Sequence, residues 1–350
     1  MKKQYGSFDI AKFVFSFLII MVHVNFFISK DATFYIGCWL GRFAVPMFFC
    51  MAGFFLFNKL QPPNKITGEN RAYIKRYLWR ILRLFLIWGA IYFPFKIYDW
   101  CVNGFRIKYI GSYLKVMILH GMTYSHTWYL GALIYGVICT AFFLHFLSRK
   151  KVFAVSVVFY VIGLLISPYY FLIKALVEGT PVVSDLFRLY YWTFGSAQNG
   201  VFFAFVFLSL GALLAVSKPV VPKWLCFAGF LIFFAASFFE VTYLRRNESS
   251  IFSLQLSLLP LVYFLFEGLR QVELKYRPAY RTLREMSILI YCVHPFFDEI
   301  FNGLLKIINP AFYTKPFVAY LMTAAASIVF GYSVLKLENT KKGKFLSYLH

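Results

Sequence analysis

Polar surface is what this sequence has least of. Charged residues make up 14% of its 350 positions, where a soluble domain carries about a quarter. A water-soluble fold of this length could not cover itself with so little, which excludes an ordinary globular class. Cysteine is also sparse. The six, at Cys38, Cys50, Cys101, Cys139, Cys226 and Cys292, stand alone in or beside apolar runs with no C-x-x-C pair. That argues against a zinc site, any other metal centre or a disulfide framework, and for small packing residues. No small-residue cleavage site follows the opening "MKKQYG", so the first apolar run reads as a retained helix and not as a signal peptide. An internal repeat of fixed period and low-complexity tracts are likewise missing.

Apolar residues fill the space. Hydrophobic residues reach 61% of the chain and phenylalanine alone supplies 45 positions, so most of the solvent must be lipid. The class expected is all-α, a polytopic membrane protein of about ten transmembrane helices at ~20 residues each. The candidate spans are 9–29, 36–57, 78–98, 126–147, 152–173, 199–216, 224–244, 250–267, 286–306 and 316–336. The stretch 178–198 is too polar and broken to cross. With Tyr190, Tyr191 and Trp192 it reads as an external loop holding a short interfacial helix.

The formal charge of +22 could signal nucleic-acid binding. Here, however, the basic residues lie between apolar spans and not on one soluble module, so orientation in the membrane explains them and no nucleic-acid partner is expected. With the N-terminus inside, the inside segments hold 23 basic residues and the outside segments 11. This obeys the positive-inside rule and places both termini in the cytoplasm of a multi-pass cell-membrane protein. One membrane domain over 1–350 is expected, with a short basic cytoplasmic tail at 337–350 that can touch anionic lipid.

The first span carries groups that are costly in hydrocarbon: Asp9, Lys12 and His23 in "SFDIAKFVFSFLIIMVHVNFF". From Lys12 to His23 is eleven residues, about 20° past three full helical turns, so the two share a face about 16 Å apart along the axis. Asp9 and Ser16 fall on the same stripe. One reading has Lys12 snorkelling beside Asp9 and His23 as a satisfied polar contact. The other is a pocket entered from the cytoplasm with an imidazole base deep inside.

In the second span, "GRFAVPMFFCMAGFFLF", Arg42 is held out of water unless it faces a protein interior. It is either packed against carbonyls or in contact with an anion. Pro46 predicts a kink, and Gly53 allows close helix approach. Next, Arg76, Arg80 and Arg83 are spaced four and three apart and project from one helical face. Such a row can grip phosphates, although a basic inside loop facing anionic headgroups is the plainer alternative.

Together these stretches resemble the acyltransferase-3 family of integral membrane acyltransferases. The matching residues are Asp9, Lys12 and His23 in the first helix, Arg42, "VPMFF" and "AGFF" in the second, and Arg80-Ile-Leu-Arg83 after it. Looser likenesses are "HTWYLGAL", "QNGVFFAFVFLSLGALL" and "SILIYCVHPFF", and the nearest resemblance is to the membrane half of vancomycin-resistance serine racemases. Two departures stand out. Lys12 occupies a place where arginine is commoner, and it lacks the planar fork; Ala52 replaces a usual serine.

The resemblance implies an enzyme that moves an acyl group, most simply acetyl, from cytoplasmic acyl-CoA to a hydroxyl of an extracytoplasmic or membrane-associated acceptor such as a cell-surface glycan. Acyl-CoA would be a co-substrate, with no permanently bound cofactor. Its phosphates would meet Arg76, Arg80 and Arg83, with Lys12 and Arg42 further along its path. His23, with Asp9 as a candidate acid partner, would act as base or be transiently acylated. Asp9 lies far along the helix from His23, which makes Lys12 its nearer partner. Trp128, Tyr129 and His294 are candidate pocket residues by location. The rival class is a transporter of a small serine-like amino acid. A non-catalytic sensor would leave Lys12 and His23 without a role that offsets their burial.

Overall fold

The computed structural model describes residues 5–24, 29–60, 66–247, 249, 252–275, 277–308 and 316–350. Among them there are helices and turns but no strand. In chain order the α-helices are α1 (Gly6–His23), α2 (Lys30–Tyr35), α3 (Ala44–Phe57), α4 (Gly68–Val102), α5 (Lys108–Leu119), α6 (Trp128–Phe146) and α7 (Arg149–Ile166). They continue as α8 (Tyr170–Gly179), α9 (Pro181–Phe194), α10 (Phe205–Leu214), α11 (Lys223–Arg246), α12 (Leu258–Arg270), α13 (Ala279–Ile308) and α14 (Pro316–Glu338). Two π-helical turns, Ile36–Leu40 and Gly200–Ala204, lead into α3 and α10.

Helix covers part or all of every expected span, and among the described residues six helical segments are long and apolar enough to cross a membrane: Gly6–His23, Lys30–Phe57, Gly68–Val102, Ser125–Phe146, Lys223–Arg246 and Phe317–Glu338. The protein is thus a polytopic helical membrane protein. The other four expected spans fall on helices that are bent, short or interrupted by charge. The span expected at 152–173 ends at Ile166, and the chain bends by 75° into α8. Residues 25–28 of the first expected span and 250–251 of the eighth lie outside the described residues. The basic stretch around Arg76, Arg80 and Arg83 is helical, as their four-and-three spacing suggests, and starts well before the expected span at 78–98. It forms the first turns of α4, a single 35-residue helix, about 52 Å long and well beyond the ~30 Å of a bilayer core. Thr67 caps its start by accepting from the Asn70 amide at 3.3 Å. The stretch 178–198 contains α9, whose Val182, Leu186, Leu189 and Trp192 are all exposed.

The chain folds as two compact units. The first comprises 1–48, 219–238 and 260–350. Its core joins α1, α13 and α14 through Ile20, Val24, Met286, Ile290, Ala319 and Ala324. Helices α1 and α13 run in the same direction, because Asp9 lies beside Arg284 and His23 beside His294. A Cβ on Gly6 would stand 2.7 Å from the Tyr280 ring, so the two helices close tightly at that end. The start of α1 is tied down by Ser7 Oγ, which donates to the Leu269 carbonyl at 2.8 Å. Nearby, Glu267 and Arg270 form a buried ion pair at 2.7 Å.

The second unit comprises 49–218 and 239–259. Its centre is α10, where Phe205, Val206, Phe207 and Leu208 have no exposed surface. Glycine makes the approach of α3 possible: a Cβ on Gly53 would lie 2.2 Å from the Leu208 carbonyl oxygen, and one on Gly211 2.0 Å from that of Cys50. Two charges, Arg149 buried and Glu240 half-buried, serve as braces. The Arg149 guanidinium is 3% exposed and donates to the carbonyls of Ala212 and Phe57, the latter at 2.9 Å. It therefore meets the carbonyl ends of α3 and α10, where cations are favoured. The Glu240 carboxylate accepts from the Tyr169 hydroxyl at 2.7 Å and from the Leu256 amide. It also takes the Ser257 amide at 2.9 Å and the Ser257 hydroxyl at 2.6 Å. These bonds hold the amides just ahead of α12, which helix geometry leaves without partners.

Candidate active site

Residues of the first unit define two polar groups spaced along α1. At its beginning, Asp9 Oδ1 lies 3.9 Å from Arg284 Nη1, and Lys12 is near enough to act on the same carboxylate electrostatically. Arg284 comes from α13, so its place beside Asp9 follows from the packing of α1 against α13 and not from the sequence around either residue. Asp9 stands fourteen residues before His23, about 21 Å along the axis. The structure therefore places it with Lys12 and Arg284 and not with His23.

The far end of α1 carries His23, the last residue of the helix, with its side chain exposed. The rings of His23 and His294 have centroids 5.2 Å apart and planes inclined at 45°. Arg42 is close enough to His23 to interact with it electrostatically, and its guanidinium is hydrogen-bonded to Cys38. The path of the chain explains how Arg42 arrives there. After the π-helical turn, residues 41–43 form a non-helical turn, and a Cβ on Gly41 would lie 2.3 Å from Val22 Cγ2. With valine at position 22, a side chain on residue 41 would not fit as the turn closes on α1. The kink expected at Pro46 is displaced to this turn: Pro46 sits in the first turn of α3, where a missing N–H costs nothing.

Three of the ten candidate residues thus meet at one end of α1: His23, Arg42 and His294. They offer an exposed imidazole, a buried imidazole and a guanidinium with fixed donors, a set suited to taking a proton and holding a developing negative charge. Lys12 lies on the same helix about 16 Å away.

The second unit holds the remaining candidates. Arg76 and Arg80 are exposed and Arg83 is half-buried along α4. Arg80 lies over the Tyr77 ring at 5.4 Å and Lys59 over Tyr73 at 5.6 Å, so aromatic faces steady this basic end. Trp128 and Tyr129 open α6 and pack on Phe49 at centroid distances of 6.3 and 4.8 Å. Among the described residues no group of three or more His, Cys, Asp or Glu is arranged to hold a metal ion.

Comparison with known proteins adds the following. A family model described as an acyltransferase domain matches residues 5–336. An amino-acid racemase from Enterococcus faecalis is 26% identical over 97% of this chain and 47% of its own length. A serine/alanine racemase from Enterococcus gallinarum is 28% identical over 73% of this chain and 35% of its own. The chain spans about half the length of the curated relatives it matches, or less. No solved structure matches it.

Proposed function

The chain belongs to the acyltransferase-3 family, and on that premise we propose that it is a membrane O-acyltransferase. It moves an acyl group, most simply acetyl, from cytoplasmic acyl-CoA to a hydroxyl of an extracytoplasmic or membrane-associated acceptor such as a cell-surface glycan. The observation that carries this reading is the convergence of His23, Arg42 and His294 at one end of α1, with Lys12 on the same helical face.

In this reading Arg76, Arg80 and Arg83 of α4 attract the CoA phosphates, and Lys12 and Arg42 are further candidate contacts of the donor. His23 takes the proton of the acceptor hydroxyl as its oxygen attacks the thioester carbonyl. The C–S bond then breaks, and the departing thiolate recovers the proton from His23. Arg42 supplies donors to the oxyanion formed in between. Asp9, held by Lys12 and Arg284, keeps the first turns of α1 in place and does not touch the reacting atoms. Trp128 and Tyr129 remain candidates for the acceptor pocket. The test is release of CoA from acetyl-CoA by purified protein in lipid nanodiscs, dependent on an acceptor and on His23.

A second reading is favoured by the names of the enterococcal relatives, amino-acid racemases. The membrane domain would then move a small serine-like amino acid, and the same polar groups would line its passage. Flux of labelled serine into proteoliposomes without CoA separates this reading from the first.

A further inference from the structure

The segment Tyr291-Cys-Val-His294-Pro295 of α13 does something that neither unit's packing requires. Pro295 lies inside the helix and has no backbone N–H, so the carbonyl four residues earlier, that of Tyr291, loses its helical donor. The side chain of His294 takes the vacant place. Its Nδ1 lies 2.7 Å from the Tyr291 oxygen and 3.3 Å from that of Ile290. A carbonyl oxygen only accepts, so Nδ1 carries the hydrogen, and in the neutral ring the lone pair belongs to Nε2.

That bond also limits where the lone pair can point. The ring is fully buried, and its Nδ1 edge is turned to its own helix, which turns the Nε2 edge away from α13. The His23 ring is its neighbour, with centroids 5.2 Å apart and planes inclined at 45°.

We propose that His294 is a positioning residue for His23. Held as the Nδ1–H tautomer by the carbonyl that Pro295 leaves open, it presents a lone pair to the His23 ring. When His23 takes the acceptor's proton it becomes an imidazolium with two N–H donors, and His294 Nε2 accepts one of them. The proton stays on His23 until the CoA thiolate removes it; His294 neither gains nor loses one. This assignment rests on the reading of His23 as the base, but its tautomer can be tested apart from that reading.

The experiment is nitrogen NMR of protein labelled with 15N-histidine in lipid nanodiscs. The His294 ring is assigned by its loss in His294→Asn, or in His294→Gln if the first variant fails to insert. The expected signature is a neutral ring protonated at Nδ1. Pro295→Ala, which returns an N–H to the Tyr291 carbonyl, shifts that ring toward the Nε2–H form. An Nε2–H or doubly protonated ring in the unaltered protein overturns the proposal, as does a signature that Pro295→Ala leaves unmoved. In the acyl-transfer assay His294→Asn lowers kcat by about tenfold or more with KM for acyl-CoA unchanged, a smaller loss than His23→Ala gives. An equal change in KM and none in kcat overturns the positioning role. Loss of acyl transfer as an activity would leave the NMR result standing, so the two failures are distinguishable.

Discussion

His23 and His294 are in ring contact at 5.2 Å, yet one is exposed and the other has no exposed surface at all. The pair divides the requirements of a base between two side chains. The exposed ring can reach a substrate, and the buried ring is fixed by the backbone of its own helix. Arg42 joins them from a turn that Gly41 lets close against Val22.

That turn gives the first prediction. Gly41→Ala places a methyl group against Val22 Cγ2, where the ideal Cβ separation is 2.3 Å. It should displace Arg42 and lower kcat, with the protein still inserted. Because Val22 Cγ2 is the end of a side chain, Gly41→Ala combined with Val22→Ala should recover much of the loss. Steady-state CoA release from the single and double variants checks this, and an unrecovered double variant would point to backbone strain instead.

The basic face of α4 gives the second. Replacing Arg76 and Arg80 by glutamine should raise KM for acyl-CoA several-fold and leave kcat nearly unchanged, since exposed cations act on the donor's phosphates and not on the carbonyl. The same KM should rise with salt in the unaltered protein, because screening at ~0.15 M confines such attraction to about 8 Å. A salt-independent KM would detach this face from the donor.

Stability of the second unit should depend on Arg149. Arg149→Met leaves the Phe57 and Ala212 carbonyls without their donor, at a cost on the order of 2–3 kcal/mol. Arg149→Lys should restore part of it, because one ammonium cannot match the planar fork that serves two helix ends. Thermal unfolding in detergent measures both, and equal stability of Lys and Met variants would refute the fork argument.

Glu240 should be as unforgiving. Glu240→Gln replaces one accepting oxygen by a donor that faces hydrogens of either Tyr169 and Leu256 or Ser257. The segment ahead of α12 should loosen, seen as faster hydrogen exchange at Leu256 and Ser257. Tyr169→Phe, which removes a single donor, should loosen it less.

The hydrophobic spans were legible because an uninterrupted apolar window is a composition signal that needs no partner. Helix α4 was read too short because its opening turns, rich in arginine, look like a loop to such a window; length and a Thr67 cap carried them into the helix instead. The bend after Ile166 and the turn around Gly41 were not legible, since each depends on what the chain packs against. The stripe of Asp9, Lys12 and His23 followed from helical spacing alone. The separation of Asp9 from His23 followed from it too, but the contacts with Arg284 and His294 did not, because those residues come from α13, far along the chain. The His-Pro pair was visible in the sequence, but the carbonyl it frees matters only once His294 is seen to fill it.

The most direct measurement is CoA release from acetyl-CoA by the purified protein in nanodiscs, with and without a hydroxyl acceptor, compared between the unaltered chain and His23→Ala. The account predicts acceptor-dependent release that falls by roughly 10²-fold or more in the variant, while insertion and thermal unfolding stay unchanged. Release that persists at full rate without His23 would contradict it.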